Sequence, residues 1–149
     1  MDYSQITKIA NSTIKMDTNR DIVSMLSVIR DVDEYTYTHS VNVGLLAMMF
    51  GRWAGLDKKR IEQLLYAGIL HDIGKTKVPE EILNKKGKLT KEEFNIIKEH
   101  TVKGYDVLKK SGFLPEKIAR GVLMHHERND GNGYPFAFSK KKIPFIVQK

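Results

Sequence analysis

Five histidines punctuate the chain: His39, His71, His100, His125 and His126. Read against helical apolar spacing, all five are predicted to face inward. His39 precedes Val43 by four residues and Leu46 by seven; His71 follows Gly68 by three and Leu64 by seven. His100 lies three after Ile97 and four before Gly104. His125 lies three after Val122 and seven after Ile118, and His126 four after Val122. One inward imidazole is ordinarily a satisfied core residue. Five in one small core are costly, because each unpaired buried polar group costs about 1–3 kcal/mol. A divalent transition metal removes that penalty, since imidazole nitrogen is a common ligand for such ions.

Asp72 directly follows His71. A carboxylate there can bridge two metals while the neighbouring imidazole binds one of them. His125 and His126 are predicted to share a helix, about 100° apart, so that both reach one cluster. His39, His71, Asp72, His100, His125 and His126 are too many ligands for one tetrahedral site with an open position. They suit two octahedral metals sharing Asp72 and a bridging water, an arrangement that activates water toward phosphorus. Gly74 is expected to permit a sharp helix exit, placing Lys75 where it neutralises a phosphate oxygen in the transition state. From Glu127 to Pro135 two Gly, two Asn and a Pro define a tight loop, with the Tyr134 ring expected at its tip.

The elements that must position these residues read as helices throughout. Ile22, Met25, Leu26 and Ile29 follow helical spacing, as do Val43, Leu46, Phe50 and Trp53, in a segment predicted to end near Gly55. Asp57 can cap a third helix with Ile61, Leu64, Leu65 and Gly68 inward. Thr90 to Glu93 has capping-box spacing, predicting a helix to about Lys110, before Ser111-Gly112. Pro115 suits the first turn of a further helix that continues through Ile118, Val122 and His125. No alternating pattern persists, so the fold class is all-α, with one domain over residues 1–149, motifs within 21–135 and a basic, apolar tail from 136 to 149. The 149 residues hold no Cys, which excludes disulfide scaffolds, thiolate metal sites and a Cys nucleophile. Apolar residues make up 41%, an ordinary globular share. The net charge of +7 favours anionic partners. The most apolar stretch, Val41 to Phe50, is far shorter than the ~20 residues of a membrane span. With no basic-then-apolar N-terminus either, a cytoplasmic location is expected.

At these residues the chain resembles the HD-GYP family of the HD phosphohydrolase superfamily. The segment Tyr35-Thr36-Tyr37-Thr38-His39-Ser40 is similar to its opening His motif, and His71-Asp72-Ile73-Gly74-Lys75 to its HD signature. His100-Thr101-Val102-Lys103-Gly104 is similar to its middle motif, and His125-His126-Glu127 through Gly133-Tyr134-Pro135 to the motif that names the family. The resemblance implies an HD-domain-like helical bundle with a di-iron, di-manganese or mixed centre, and hydrolysis of cyclic di-GMP to pGpG or onward to GMP. It implies ligand roles for His39, His71, Asp72, His100, His125 and His126, and a phosphate contact for Lys75. A third-metal glutamate of some members would fall on Tyr35, which argues for two metals. The loop Gly133-Tyr134-Pro135 is expected to serve as an interaction site for a protein partner.

The C-terminus departs from the family pattern. Members continue into a helix with an Ala-Asp-X-Tyr-Asp-like motif that adds a ligand, whereas no Asp or Glu follows Asp130 here. The chain therefore reads as an N-terminal portion of such a domain. Three functions remain in view: a cyclic di-GMP phosphodiesterase, a degenerate module that binds without turnover, and an HD enzyme for another phosphoester. The shortened core predicts uncovered faces on the helices carrying Ile61–Gly68 and Ile118–Val122, and hence a homo-oligomer.

Overall fold

A computed structural model describes residues 16–112 and 114–147. The helices in chain order are α1 (Met16–Val32), α2 (Glu34–Trp53), α3 (Lys58–Leu70), α4 (Glu80–Leu83), α5 (Lys91–Lys98), α6 (His100–Ser111) and α7 (Glu116–Met124). Short 3-10 segments occupy Ile73–Lys77, Lys140–Lys142 and Phe145–Val147. Among the described residues the extended pairing is limited to an isolated bridge between Asp130 and Ser139. The all-α expectation therefore holds. The chain divides into two compact units, Met1–Ile69 and Leu70–Lys149.

In the first unit, Leu26 and Ile29 of α1 are buried as their spacing predicts; the Ile22 side chain lies outside the described residues. Asp33 caps α2, accepting from the Tyr35 and Thr36 backbone N–H at 3.1 and 3.0 Å. The inward face of α2 differs from the expected one. Thr36, Ser40, Val41, Gly44, Met48 and Gly51 are buried, whereas Leu46, Phe50 and Trp53 are 64%, 56% and 85% exposed. His39 shares that outer face and is exposed, not inward. The reason is backbone proximity. A Cβ on Gly68 would stand 2.7 Å from Gly44 Cα, and one on Gly44 would stand 3.0 Å from the Leu65 carbonyl. Helices α2 and α3 meet through these small residues, which turns the bulky stripe of α2 outward. Asp57 caps α3 as expected, accepting from Arg60 N–H at 3.0 Å, and Leu65 is 2% exposed.

In the second unit, Leu70 is fully buried and the helix ends there. His71 and Asp72 form a turn that leads into Ile73–Lys77. Gly74 is needed for close approach rather than for a left-handed exit: a Cβ there would overlap the His100 carbonyl oxygen and stand 2.5 Å from Gly104 N. The Thr90 capping box forms as predicted, with Glu93 N–H donating to Thr90 Oγ1 at 3.2 Å and Thr90 N–H to Glu93 Oε2 at 2.8 Å. The single helix expected from there breaks at Glu99, whose N–H bonds the Ile96 carbonyl at 3.2 Å, a tighter 3-10 closure. Gly112, at φ 70°, ends α6 in the left-handed region. Pro115 stands before α7 as its cap, and α7 stops at Met124, so His125 and His126 lie in the turn beyond it. Ile118 and Val122 are 1% and 0% exposed. The Ile118–Val122 face expected to lack cover is therefore buried, as is the tail residue Ile143, whereas on the Ile61–Gly68 face Leu65 and Gly68 are buried and Ile61 and Leu64 are half-buried. Among the described residues no helix is long and apolar enough to cross a membrane.

Candidate metal centre

Three chain segments of the second unit converge on the Asp72 carboxylate. The 71–72 turn supplies His71 and Asp72, the first residue of α6 supplies His100, and the turn after α7 supplies His125 and His126. His71 Nε2 lies 3.1 Å from Asp72 Oδ2. His100 Nε2 and His125 Nε2 lie 3.3 and 3.8 Å from Oδ1, and 3.3 Å from each other. Donor atoms of Asp72, His100, His125 and His126 all fall within 4.8 Å of one another. The His125 ring stands 4.1 Å from that of His126 and 5.0 Å from that of His71. Lys75 Nζ donates to Asp72 Oδ2 at 2.9 Å.

Protonation follows from the second nitrogen of each ring. His100 Nδ1 lies 2.6 Å from the Ile97 carbonyl and His125 Nδ1 lies 2.7 Å from the Val122 carbonyl. A carbonyl only accepts, so each Nδ1 carries the proton, and in the neutral ring Nε2 offers its lone pair. Those lone pairs face Asp72 Oδ1, which is buried and takes no hydrogen bond. Converging acceptors around an orphaned carboxylate oxygen are the donor set a cation needs. Carbonyl-oriented imidazoles are the usual outer support of such sites.

The electrostatics agree. Burial pushes the Asp72 carboxyl upward, but His71 and the Lys75 ammonium beside Oδ2 hold the group well below the usual carboxylate range. Burial, together with its His126 and His71 neighbours, pushes His125 down to about 2. Burial and His100 push His126 down to about 4. Both rings are neutral near pH 7 and available as ligands.

Tyr134 does not sit at a loop tip. Its ring folds inward and stacks on His126 at 4.6 Å and 18°. Burial and the Asp72 charge push its hydroxyl up to about 12, so it stays a donor. Gly133 precedes it, and the Tyr134–Pro135 peptide is cis. The Lys98 ammonium lies 5.9 Å from the Tyr134 ring centre. Beside the cluster opens a cleft of about 440 Å³, lined in part by His125, His126, Arg128, Asn132, Tyr134 and Ile143. His39 stands on α2 of the first unit, its ring 6.3 Å from that of Tyr35.

One residue escaped the sequence reading. Glu127 is 5% exposed, and its carboxylate accepts the Phe136 and Phe138 backbone N–H at 2.7 and 2.8 Å. Its place directly after the histidine pair was the available signal, but its partners are backbone groups that leave no trace in side-chain pattern.

An ordered series of histidine motifs around one buried aspartate, on a helical scaffold, defines a class of protein. The chain belongs to the HD domain family, whose profile matches residues 22–147. It is 39% identical over 84% of its length to a cyclic di-GMP phosphodiesterase of Pseudomonas aeruginosa, covering 31% of that protein. It is 39% identical over 83% of its length to a cyclic di-GMP phosphodiesterase of Thermotoga maritima, covering 33% of that protein. A 3′3′-cGAMP-specific phosphodiesterase of Vibrio cholerae is 35% identical over 74% of the chain, which covers 26% of it. The chain thus spans about a third or less of these relatives. The motifs are consistent with an HD-GYP-type domain, and family and donor set together indicate divalent-metal binding.

Proposed function

We propose that the chain carries the metal-binding part of a phosphodiesterase that opens cyclic di-GMP to pGpG or GMP. The observation that supports this most is the convergence of two carbonyl-oriented imidazoles on the orphaned Oδ1 of Asp72. His71, Asp72, His100, His125 and His126 would hold divalent metal, two iron or manganese ions in the reading taken from the motifs, with Asp72 shared between them. Such metals supply Lewis-acid activation of water and of a phosphoryl oxygen. The chain's own groups do the rest. Lys75, already within 2.9 Å of Asp72, offers its ammonium to a phosphate oxygen as negative charge grows. The net charge of +7 draws an anionic dinucleotide toward the protein. His39 joins the ligand set by sequence resemblance.

The names of two relatives support the substrate class, and that of the Vibrio cholerae relative widens it to mixed cyclic dinucleotides. Incubating the manganese- or iron-loaded chain with cyclic di-GMP and 3′3′-cGAMP, followed by chromatography, tests the reading. Conversion of cyclic di-GMP to a linear product supports it. Nucleotide binding without turnover by a metal-loaded chain replaces it with a regulatory module. A protein partner at Gly133–Pro135 and self-association belong to the same proposal.

A further inference from the structure

His100 and His125 are each held by a backbone carbonyl at Nδ1. His126 is not: among the described residues no hydrogen bond fixes its ring. Three rings lie against it: His125 tilted at 4.1 Å, His100 edge-on at 5.2 Å, and Tyr134 in the one near-parallel stack, at 4.6 Å and 18°. With His100 and His125 already held by carbonyls, the imidazole plane of His126 depends in part on where the 128–138 loop places Tyr134.

That placement traces back to Glu127. Its carboxylate is buried, and among the described residues no Lys or Arg pairs with it. Both oxygens are spent on the loop's far end, one on Phe136 N–H and one on Phe138 N–H. Tyr134 N–H, between loop and helix end, donates to the His126 carbonyl at 3.3 Å. Gly133 lets the strands of the loop touch: a Cβ there would collide with Arg128 N and stand 2.5 Å from Glu127 Cα. Burying a carboxylate among neutral donors is unfavourable unless its bonds accomplish something an apolar side chain cannot. Here two parallel acceptors are required. A glutamine would offer one acceptor and turn its NH₂ toward the other backbone N–H.

We propose that Glu127 is a positioning residue: it draws the 128–138 loop back onto the end of α7 so that Tyr134 orients His126. This rests on the reading of His126 as a metal ligand, but the orientation itself exists without metal. It is the counterpart, built from a loop, of the carbonyl contacts that hold the other two rings.

The test uses the full chain labelled with ¹⁵N-histidine and compares wild type, Glu127→Gln, Gly133→Ala and Tyr134→Phe. In metal-free protein, Glu127→Gln is expected to shift or broaden the His126 ring resonances while those of His100 and His125 stay in place. Gly133→Ala, which opens the loop by steric conflict alone, should do the same. Tyr134→Phe keeps the stacking ring and should leave His126 near its wild-type position. In Mn²⁺ titrations Glu127→Gln should weaken affinity about 10–100-fold, the usual cost of losing an outer support of a ligand. His126 resonances and Mn²⁺ affinity both unchanged in Glu127→Gln would overturn the proposal. So would a uniform disturbance of all the histidines with a lowered unfolding temperature, which marks a purely structural carboxylate. If wild type fails to hydrolyse a cyclic dinucleotide while the metal-free spectra behave as expected, the phosphodiesterase reading fails and the positioning role stands.

Discussion

Asp72 concentrates the chemistry because its two oxygens have different neighbours. Oδ2 takes Lys75 and His71; Oδ1 faces lone pairs and takes no hydrogen bond. Asp72→Asn removes the carboxylate's negative charge from the cluster and turns an NH₂ into it. Calorimetric titration with Mn²⁺ should show binding largely abolished in this variant, and wild-type affinity would contradict the ligand role. Lys75→Ala should retain metal but slow phosphodiester cleavage, costing about 2–4 kcal/mol of transition-state stabilisation. The expected signature is a lower kcat with unchanged metal content; wild-type turnover would reduce Lys75 to a charge partner of Asp72. The histidines and Asp72 were legible because metal chemistry restricts residue type and the motifs come in order. Glu127 was not, since its bonds run to backbone N–H groups nine and eleven residues on.

At the scale of elements, caps were the most legible features. Asp57, Thr90 and Gly112 each act through partners within a few residues, so local chemistry suffices. Thr90→Ala should lower stability by about 1 kcal/mol, read by urea unfolding, with metal binding unchanged. The face of α2 was misread because Val41, Val43, Leu45, Leu46, Met48, Met49 and Phe50 nearly encircle the helix. Apolar spacing alone could not select a side, and the decisive contact is backbone to backbone at Gly44 and Gly68. The break at Glu99 had no Pro or Gly to announce it. Gly74 carries the sharpest element-scale prediction. Gly74→Ala places a methyl group on the His100 carbonyl, so the turn bearing Asp72 must separate from α6. A loss of about 3 kcal/mol or more is expected, with Mn²⁺ affinity falling in the fraction that remains folded. A variant of wild-type stability would contradict the close approach.

For the whole molecule, the buried imidazoles couple stability to pH. The folded values near 2 for His125 and 4 for His126 lie below the ordinary 6.5. As pH falls from 6.5 toward 4, the unfolded chain takes up protons that the folded chain refuses, so stability rises with pH across that window. The metal-free chain should therefore show a lower urea midpoint at pH 5 than at pH 7.5, whereas equal midpoints would contradict neutral burial. The self-association expected from the shortened core loses the Ile118–Val122 face, which is buried, while Leu46, Phe50 and Trp53 remain exposed; light scattering that gives a 17.1 kDa particle at micromolar concentration would exclude it. The sequence resemblance reached the family and the order of its motifs; the exposure of His39 and the inward fold of Tyr134 became visible only in three dimensions. His39→Ala with undiminished metal content would remove His39 from the ligand set. The central claim is that the Asp72 cluster holds divalent metal, and elemental analysis of the anaerobically purified chain beside Asp72→Ala measures it directly. The account predicts two iron or manganese ions per wild-type chain and loss of most of that metal in the variant. A metal-free wild type, or equal metal in both proteins, would contradict it.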